Sequence, residues 1–250
     1  MADTDRISAL EEQIASLNRR LTIREDELDI RKLQHLYGYL IDKCMYDEVV
    51  ELFADDAQVH FFGGVWRGKD SIRRLYVDRF RKRFTHDNNG PIDGFLLDHP
   101  QLQDLITINE DGITARNRCR SMMQAGRHKD YCDPGNPAAA NPRQWWEGGV
   151  YENQYKKVDG KWRFLVLNYF PHWHADFKEG WAYTESEFVP FFRETYPTDP
   201  EGPDELSEGH WLWPTHKLVP FHMKHPITGK EMKAERWQGD IDRESAHKDA

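Results

Sequence analysis

Asp42 closes a helical pattern (GYLIDKCM) and stands off the apolar stripe of Leu33, Leu36, Tyr37, Leu40 and Cys44. An anion near a helix C-terminus is disfavoured by about 0.3–1 kcal/mol, which raises its proton affinity if it is buried and suits it to general-base work. Left exposed, it is a solvated residue. His99, in LLDHPQLQD, opens a strand pattern, where a lone histidine is either a proton shuttle or a surface group. Arg116, Arg118 and Arg120 alternate along one strand and so share a face, which is either an anion clamp or solvent-exposed. His172-x-His174 and His222-x-x-His225 have a spacing that metal ligands use. No cysteine partner or HExxH pattern accompanies them, which disfavours a metal. The chain has no glycine-rich phosphate loop and no GxSxG, which disfavours cofactor chemistry and serine hydrolysis.

The elements that must position these groups centre on WWEGGVYENQYKKVDGKWRFLVLNYFPHW, residues 145–173. Two alternating runs flank Asp159-Gly160, a pair that closes two-residue hairpins. Simple alternation places Trp162, Phe164, Val166, Asn168 and Phe170 on one face, with Arg163, Leu165, Leu167 and Tyr169 on the other. Both faces carry large side chains, so the hairpin belongs in mid-sheet. Upstream, Ile7, Leu10, Ile14, Leu17 and Leu21 form a short heptad seam on an N-terminal helix that docks on its own domain or on a second subunit. A second helix spans 25–45, and Asp47 and Asp70 are candidate caps of the helices that follow. The basic residues Arg73, Arg74, Arg79, Arg81, Lys82 and Arg83 read as a solvated face. Gln58–Phe62, Leu96–Ile108 and Ile113–Gln124 read as strands, with His60 pointing away from Phe61 in a structural role. Residues 125–143 form a loop too long for a plain connection, and 204–250 mix Trp211, Trp213, Phe221 and Trp237 with many charges. That tail suits an arm wrapping the domain or its partner.

Helix, helix, strand, helix and four long strands make an α+β layout, with the sheet curved around the long helices as a cone. The domain plan is an N-terminal helix (1–24), a cone domain (25–175) and a C-terminal extension (176–250). The net charge of −9 argues against non-specific nucleic-acid binding. The absence of a long apolar run or a signal-like N-terminus argues against a membrane, and scattered Cys44, Cys119 and Cys132 suit reduced thiols in a cytoplasm.

Three segments in order resemble the SnoaL-like branch of the nuclear transport factor 2-like superfamily: YGYLIDKCMYDEVVELFADD, GVWRGKDSI and YKKVDGKWRF. The resemblance covers about residues 25–175. It implies a cone of curved antiparallel sheet and helices and a homodimer or homotrimer. It also implies proton-transfer chemistry on a small aromatic or polycyclic substrate without metal or organic cofactor, as in scytalone dehydratase, steroid isomerases and polyketide cyclases. Other members are non-catalytic, among them the small subunits of ring-hydroxylating dioxygenases. The length of the chain, with its long loop and tail, resembles more narrowly the sphingomonad diarylpropane lyases, which convert lignin-derived diaryl-propanediols to stilbenes with loss of formaldehyde.

Carried over by position, the resemblance makes Asp42 the helix aspartate of the active site and His99 its histidine, a pair in which the carboxylate orients the imidazole. Arg116 falls near a second active-site position, where it and Arg118 offer an anion clamp instead of a proton shuttle. Tyr151 matches a polar residue that holds substrate, and Tyr37 a pocket aromatic. Phe61 matches a pocket tyrosine but lacks its hydroxyl. Asn168, Tyr169 and His172 stand where the cone mouth should be. The reading is a cofactor-independent carbon–carbon or carbon–oxygen lyase, with a dehydratase or double-bond isomerase and a non-catalytic assembly module as alternatives.

Overall fold

A computed structural model describes residues 2–216 and 218–232. Trp237 lies outside them. With no glycine or proline before Gly38, nothing interrupts the first helix. The two expected helices are therefore one, α1 (Ala2–Asp42), 41 residues long. Its first buried residue is Asp26; Ile30, Gln34, Tyr37 and Ile41 continue the buried stripe, while Leu36 faces solvent. The heptad seam stays uncovered, with Ile7, Leu10, Ile14, Leu17 and Leu21 each about half exposed.

The chain continues through α2 (Tyr46–Glu51), β1 (Phe53–Phe61), β2 (Gly64–Arg67) and α3 (Lys69–Arg73). A π-helical stretch, Arg74–Arg81, leads into α4 (Lys82–Thr85). Asp47 and Asp70 sit inside first turns and are not caps: Met45 and Gly68 hold those positions without side-chain bonds. The expected strand 96–108 is two, β3 (Phe95–Asp98) and β4 (Gln101–Ile108), because Pro100 cannot donate to a ladder. The long strands β5 (Thr114–Arg127), β6 (Arg143–Val158) and β7 (Lys161–Asp176) follow. The sheet order is β3-β5-β6-β7-β1-β2-β9, with β4 also on β5 and β9 being Glu205–Leu206. All pairs are antiparallel except β1 with β7, which run parallel. The hairpin turns at Asp159 (φ 49°) and Gly160 (φ 74°), both in the left-handed region that a two-residue turn of this kind needs.

Alternation along that hairpin does not persist. Register shifts occur between Gly148 and Gly149 and between Gln154 and Tyr155. One extra residue on a strand turns every later side chain to the opposite face. The buried set on β7 accordingly runs Trp162, Phe164, Leu167, Tyr169, so Tyr169 joins the face of Phe164 and Asn168 leaves it.

Fully buried Trp66, Tyr46, Tyr76, Tyr155, Phe53 and Phe164 fill the space between sheet and helices, each contributing roughly 1.5–3 kcal/mol. Asp26 ties α1 to the hairpin, accepting from Trp162 Nε1 at 2.8 Å and Lys157 Nζ at 2.7 Å. Gln34 ties it to the sheet, accepting from Tyr155 Oη at 2.6 Å and Asn153 Nδ2 at 2.8 Å.

The basic face of residues 73–83 is not simply solvated. Arg74 bonds Asp204, Arg79 reaches Asp199 at 3.4 Å and Arg83 reaches Glu201 at 3.2 Å. The cations thus clasp the acidic segment 199–204 of the extension against their own domain. Further along, β8 (Phe188–Val189) pairs with β10 (His210–Trp211), and Phe191 stacks on Phe62 at 4.3 Å. Among the described residues no helix is long and apolar enough to cross a membrane.

Candidate active site

α1 ends at Asp42, and the break between β3 and β4 presents His99. His99 Nδ1 lies 2.8 Å from Asp42 Oδ1, with both side chains largely buried. Gly38, one turn before Asp42, permits this: a Cβ there would meet Gln101 Cγ at 2.8 Å. The pair borders a groove of about 360 Å³ that His35, Gly38, Tyr39 and Pro100 also line.

Behind the pair the cone wall is aromatic. Tyr37 Oη and Tyr76 Oη are 3.0 Å apart, and burial pushes the Tyr37 hydroxyl up to about 12. Tyr151 packs edge-on to Tyr37 at 6.2 Å and against Tyr169 at 4.8 Å, and burial holds both hydroxyls well above the usual phenol range. Phe61 stacks on Tyr169 at 6.2 Å. The structure therefore brings Asp42, His99, Tyr37, Phe61, Tyr151 and Tyr169 together.

It separates the rest. Arg116 is exposed on the opposite face of β5, whose buried residues are Ala115, Asn117, Cys119, Ser121 and Met123. Arg118, on that same outer face, bonds Glu152, donates to the carbonyls of Val219 and Pro220 at 2.8 Å and sits 3.8 Å over the Phe221 ring. It holds the tail, not a substrate. His172 is also outside: burial, with Arg120, His216 and Arg118 nearby, lowers its pKa from the usual histidine value. Asn168 alternates with Leu167 and Tyr169 and faces outward with His60, its pairing partner on β1. His222 Nδ1 goes to Glu152 at 2.9 Å and its Nε2 to Thr107 at 3.2 Å. Among the described residues no three His, Cys, Asp or Glu side chains converge as metal ligands.

Sequence reasoning missed Glu147. It lies opposite Met123 and His174, on the inner face, and is 5% exposed. Burial raises its carboxyl above the ordinary 4.5, while His174, His99 and the Tyr169 hydroxyl pull the other way. Tyr169 Oη is buried beside that carboxyl, and burial together with the carboxyl's nearness raises the phenol in turn. His174, alongside, bonds Glu187 of the extension at 2.5 Å. A usable signal was the run Glu147-Gly148-Gly149, since glycines inside a strand mark a bulge. At Gly149 a Cβ would meet the Phe170 carbonyl at 2.5 Å, and at Gly148 the Trp173 ring. Chemically, the arrangement combines an oriented imidazole, a carboxyl raised by burial and a buried phenol beside it: a base, an acid and a donor.

The model of the SnoaL-like domain matches residues 22–168. No curated protein matches the chain. A crystal structure of LinA is 14% identical, covering 63% of this chain and 92% of that one at a TM-score of 0.49. Hexachlorocyclohexane dehydrochlorinase LinA-type3 from Novosphingobium barchaimii is 16% identical, covering 63% and 93% at 0.49. An NTF2-like protein with a cystatin-like fold from Novosphingobium aromaticivorans is 19% identical, covering 68% and 93% at 0.44.

Proposed function

The chain belongs to the SnoaL-like family, and we propose that it is a cofactor-independent lyase acting on a hydroxylated aromatic substrate by acid–base elimination. The observation that carries this reading is the 2.8 Å Asp42–His99 pair, bordering an open groove on one side and within electrostatic reach of Glu147 on the other. With Nδ1–H donated to Asp42, the His99 Nε2 lone pair is the base. Glu147, whose carboxyl is raised by burial, gives a proton to the leaving hydroxyl. Tyr169 and Tyr151 hold the substrate oxygens.

For a diaryl-propanediol with a free para-phenol, loss of the benzylic hydroxyl as water, with the phenolic proton, forms a quinone methide. Deprotonation of the terminal hydroxyl then releases formaldehyde. The carbon–carbon bond electrons rearomatise the ring, the phenolic oxygen regains a proton, and a stilbene forms. A dehydratase or isomerase would stop after the first elimination or proton shift. The uncovered seam on α1 is in this reading a contact between copies of the chain, giving a homodimer or homotrimer.

The test mixes purified protein with such a diaryl-propanediol and follows ultraviolet absorbance alongside a formaldehyde assay. A stilbene band with stoichiometric formaldehyde, lost in Asp42→Asn and His99→Ala, supports the reading. Full turnover in both folded variants overturns the assigned roles.

A further inference from the structure

At the far end of the same inner face, Arg127 of β5 lies opposite Arg143 of β6 and Phe95 of β3. Arg127 is only 6% exposed. Its guanidinium donates to the Phe84 carbonyl at 2.9 Å and lies 5.1 Å from the Phe95 ring centre; among the described residues it has no carboxylate partner. The arginines of comparable burial do: Arg74 has Asp204 and Arg118 has Glu152. A buried guanidinium without an anion is unfavourable, and an anion beside it relieves that cost.

Beside it lies an open groove of about 720 Å³ lined by Arg127, Lys129, Arg143 and Lys178, with Phe95 as an aromatic wall. His128 and Asp176 also line it, and the Asp176 carboxylate is engaged by the backbone N–H groups of Lys178 and Glu179. An excess of cations here contrasts with a chain of net charge −9. Phe84 stacks on Phe95 at 5.4 Å and fixes that wall.

We propose that this groove binds a carboxylate borne on an aromatic ring of the substrate, with Arg127 as its principal partner and Arg143 and Lys178 in support. The planar guanidinium fork matches a carboxylate bidentately, whereas a phenol is neutral at pH 7. Arg127 stands four residues along β5 from Met123, the partner of Glu147. At about 3.3 Å per residue that is about 13 Å, the length of a two-ring molecule. The substrate class is therefore a diaryl acid whose charged end rests at Arg127 while the bond to be broken lies near His99 and Glu147. This placement rests on the lyase reading; the carboxylate site itself does not.

The test is tryptophan-fluorescence titration with trans-stilbene-4-carboxylate and with its methyl ester. The wild type should prefer the acid by at least about ten-fold, and Arg127→Gln should reduce that preference to about two-fold or less while ester affinity stays level. If melting curves show that Arg127→Gln does not fold, the exposed double variant Arg143→Gln/Lys178→Gln carries the test, with an expected loss of at least about three-fold in acid preference. Equal wild-type affinity for acid and ester overturns the proposal, as does an unchanged ratio in the folded variants. His99→Ala should keep the preference while losing turnover. A kept preference with normal turnover in His99→Ala would sink only the lyase roles, and a ratio of one with turnover intact would sink only the carboxylate site.

Discussion

His99 Nδ1 stands 2.8 Å from Asp42 Oδ1 although 57 residues separate them in the chain. Two local events create the contact: a helix that ends at Asp42, and a strand broken at Pro100 so that His99 turns toward that end. The carboxylate fixes which ring nitrogen carries the proton. Asp42→Asn should leave the fold intact and lower kcat by about 10²–10⁴-fold, and His99→Ala by at least as much. Steady-state kinetics with a circular-dichroism melt on each variant checks this.

Gly38 sets the distance at which that strand passes the helix. A methyl group there would lie 2.8 Å from Gln101 Cγ and push the segment carrying His99 outward. Alanine also favours helix by up to about 1 kcal/mol, which offsets part of the strain. Gly38→Ala should therefore lower kcat about ten-fold while changing stability by no more than about 1 kcal/mol. Unaltered turnover would show that the pair tolerates a looser approach.

Glu147 makes stability depend on pH. Its carboxyl is raised above 4.5 in the folded protein, chiefly by burial. The folded state then binds the proton more tightly than the unfolded chain, and the associated stability is fully present below the unfolded value and lost as pH rises through the folded one. Urea midpoints should fall across that window, and Glu147→Gln should flatten the fall. If Glu147 donates to the leaving group, wild-type activity declines over the same window and Glu147→Gln loses turnover. Superimposable midpoint profiles would show that the carboxyl titrates as it does in water.

Ile14 and Leu17 are each 57% exposed at the centre of the α1 seam. Ile14→Asp with Leu17→Asp should reduce the mass seen by light scattering to that of one chain, because charged residues cannot fill the core positions of a coiled coil. A multimeric mass in the double variant would move the interface elsewhere.

Patterns that repeat within a few residues were legible in the sequence: the Asp159-Gly160 hairpin, an α+β order, and the family segments around Asp42 and the hairpin. Asp42, His99, Tyr37, Phe61 and Tyr151 lie along the cone wall, and Tyr169 joins them through a break in the alternation. Where Arg116, Arg118, Asn168 and His172 would point was not legible. Strict alternation assigns faces only until a bulge intervenes; the shift at Gln154/Tyr155 separates Asn168 from the Phe164 face and brings Tyr169 onto it. Arg118 looked like a substrate clamp because nothing local reveals that Val219, Pro220 and Phe221 return to cover it.

The sequence by itself determined which residues could do chemistry and the elements that carry them, since turn chemistry and hydrophobic period act over a few residues. Only the tertiary structure decided which of them meet. Burial is a property of the closed cone, so the Glu147 carboxyl is raised, and Arg127 is a buried cation with no carboxylate partner among the described residues, only once β5, β6 and β7 curl around the helices.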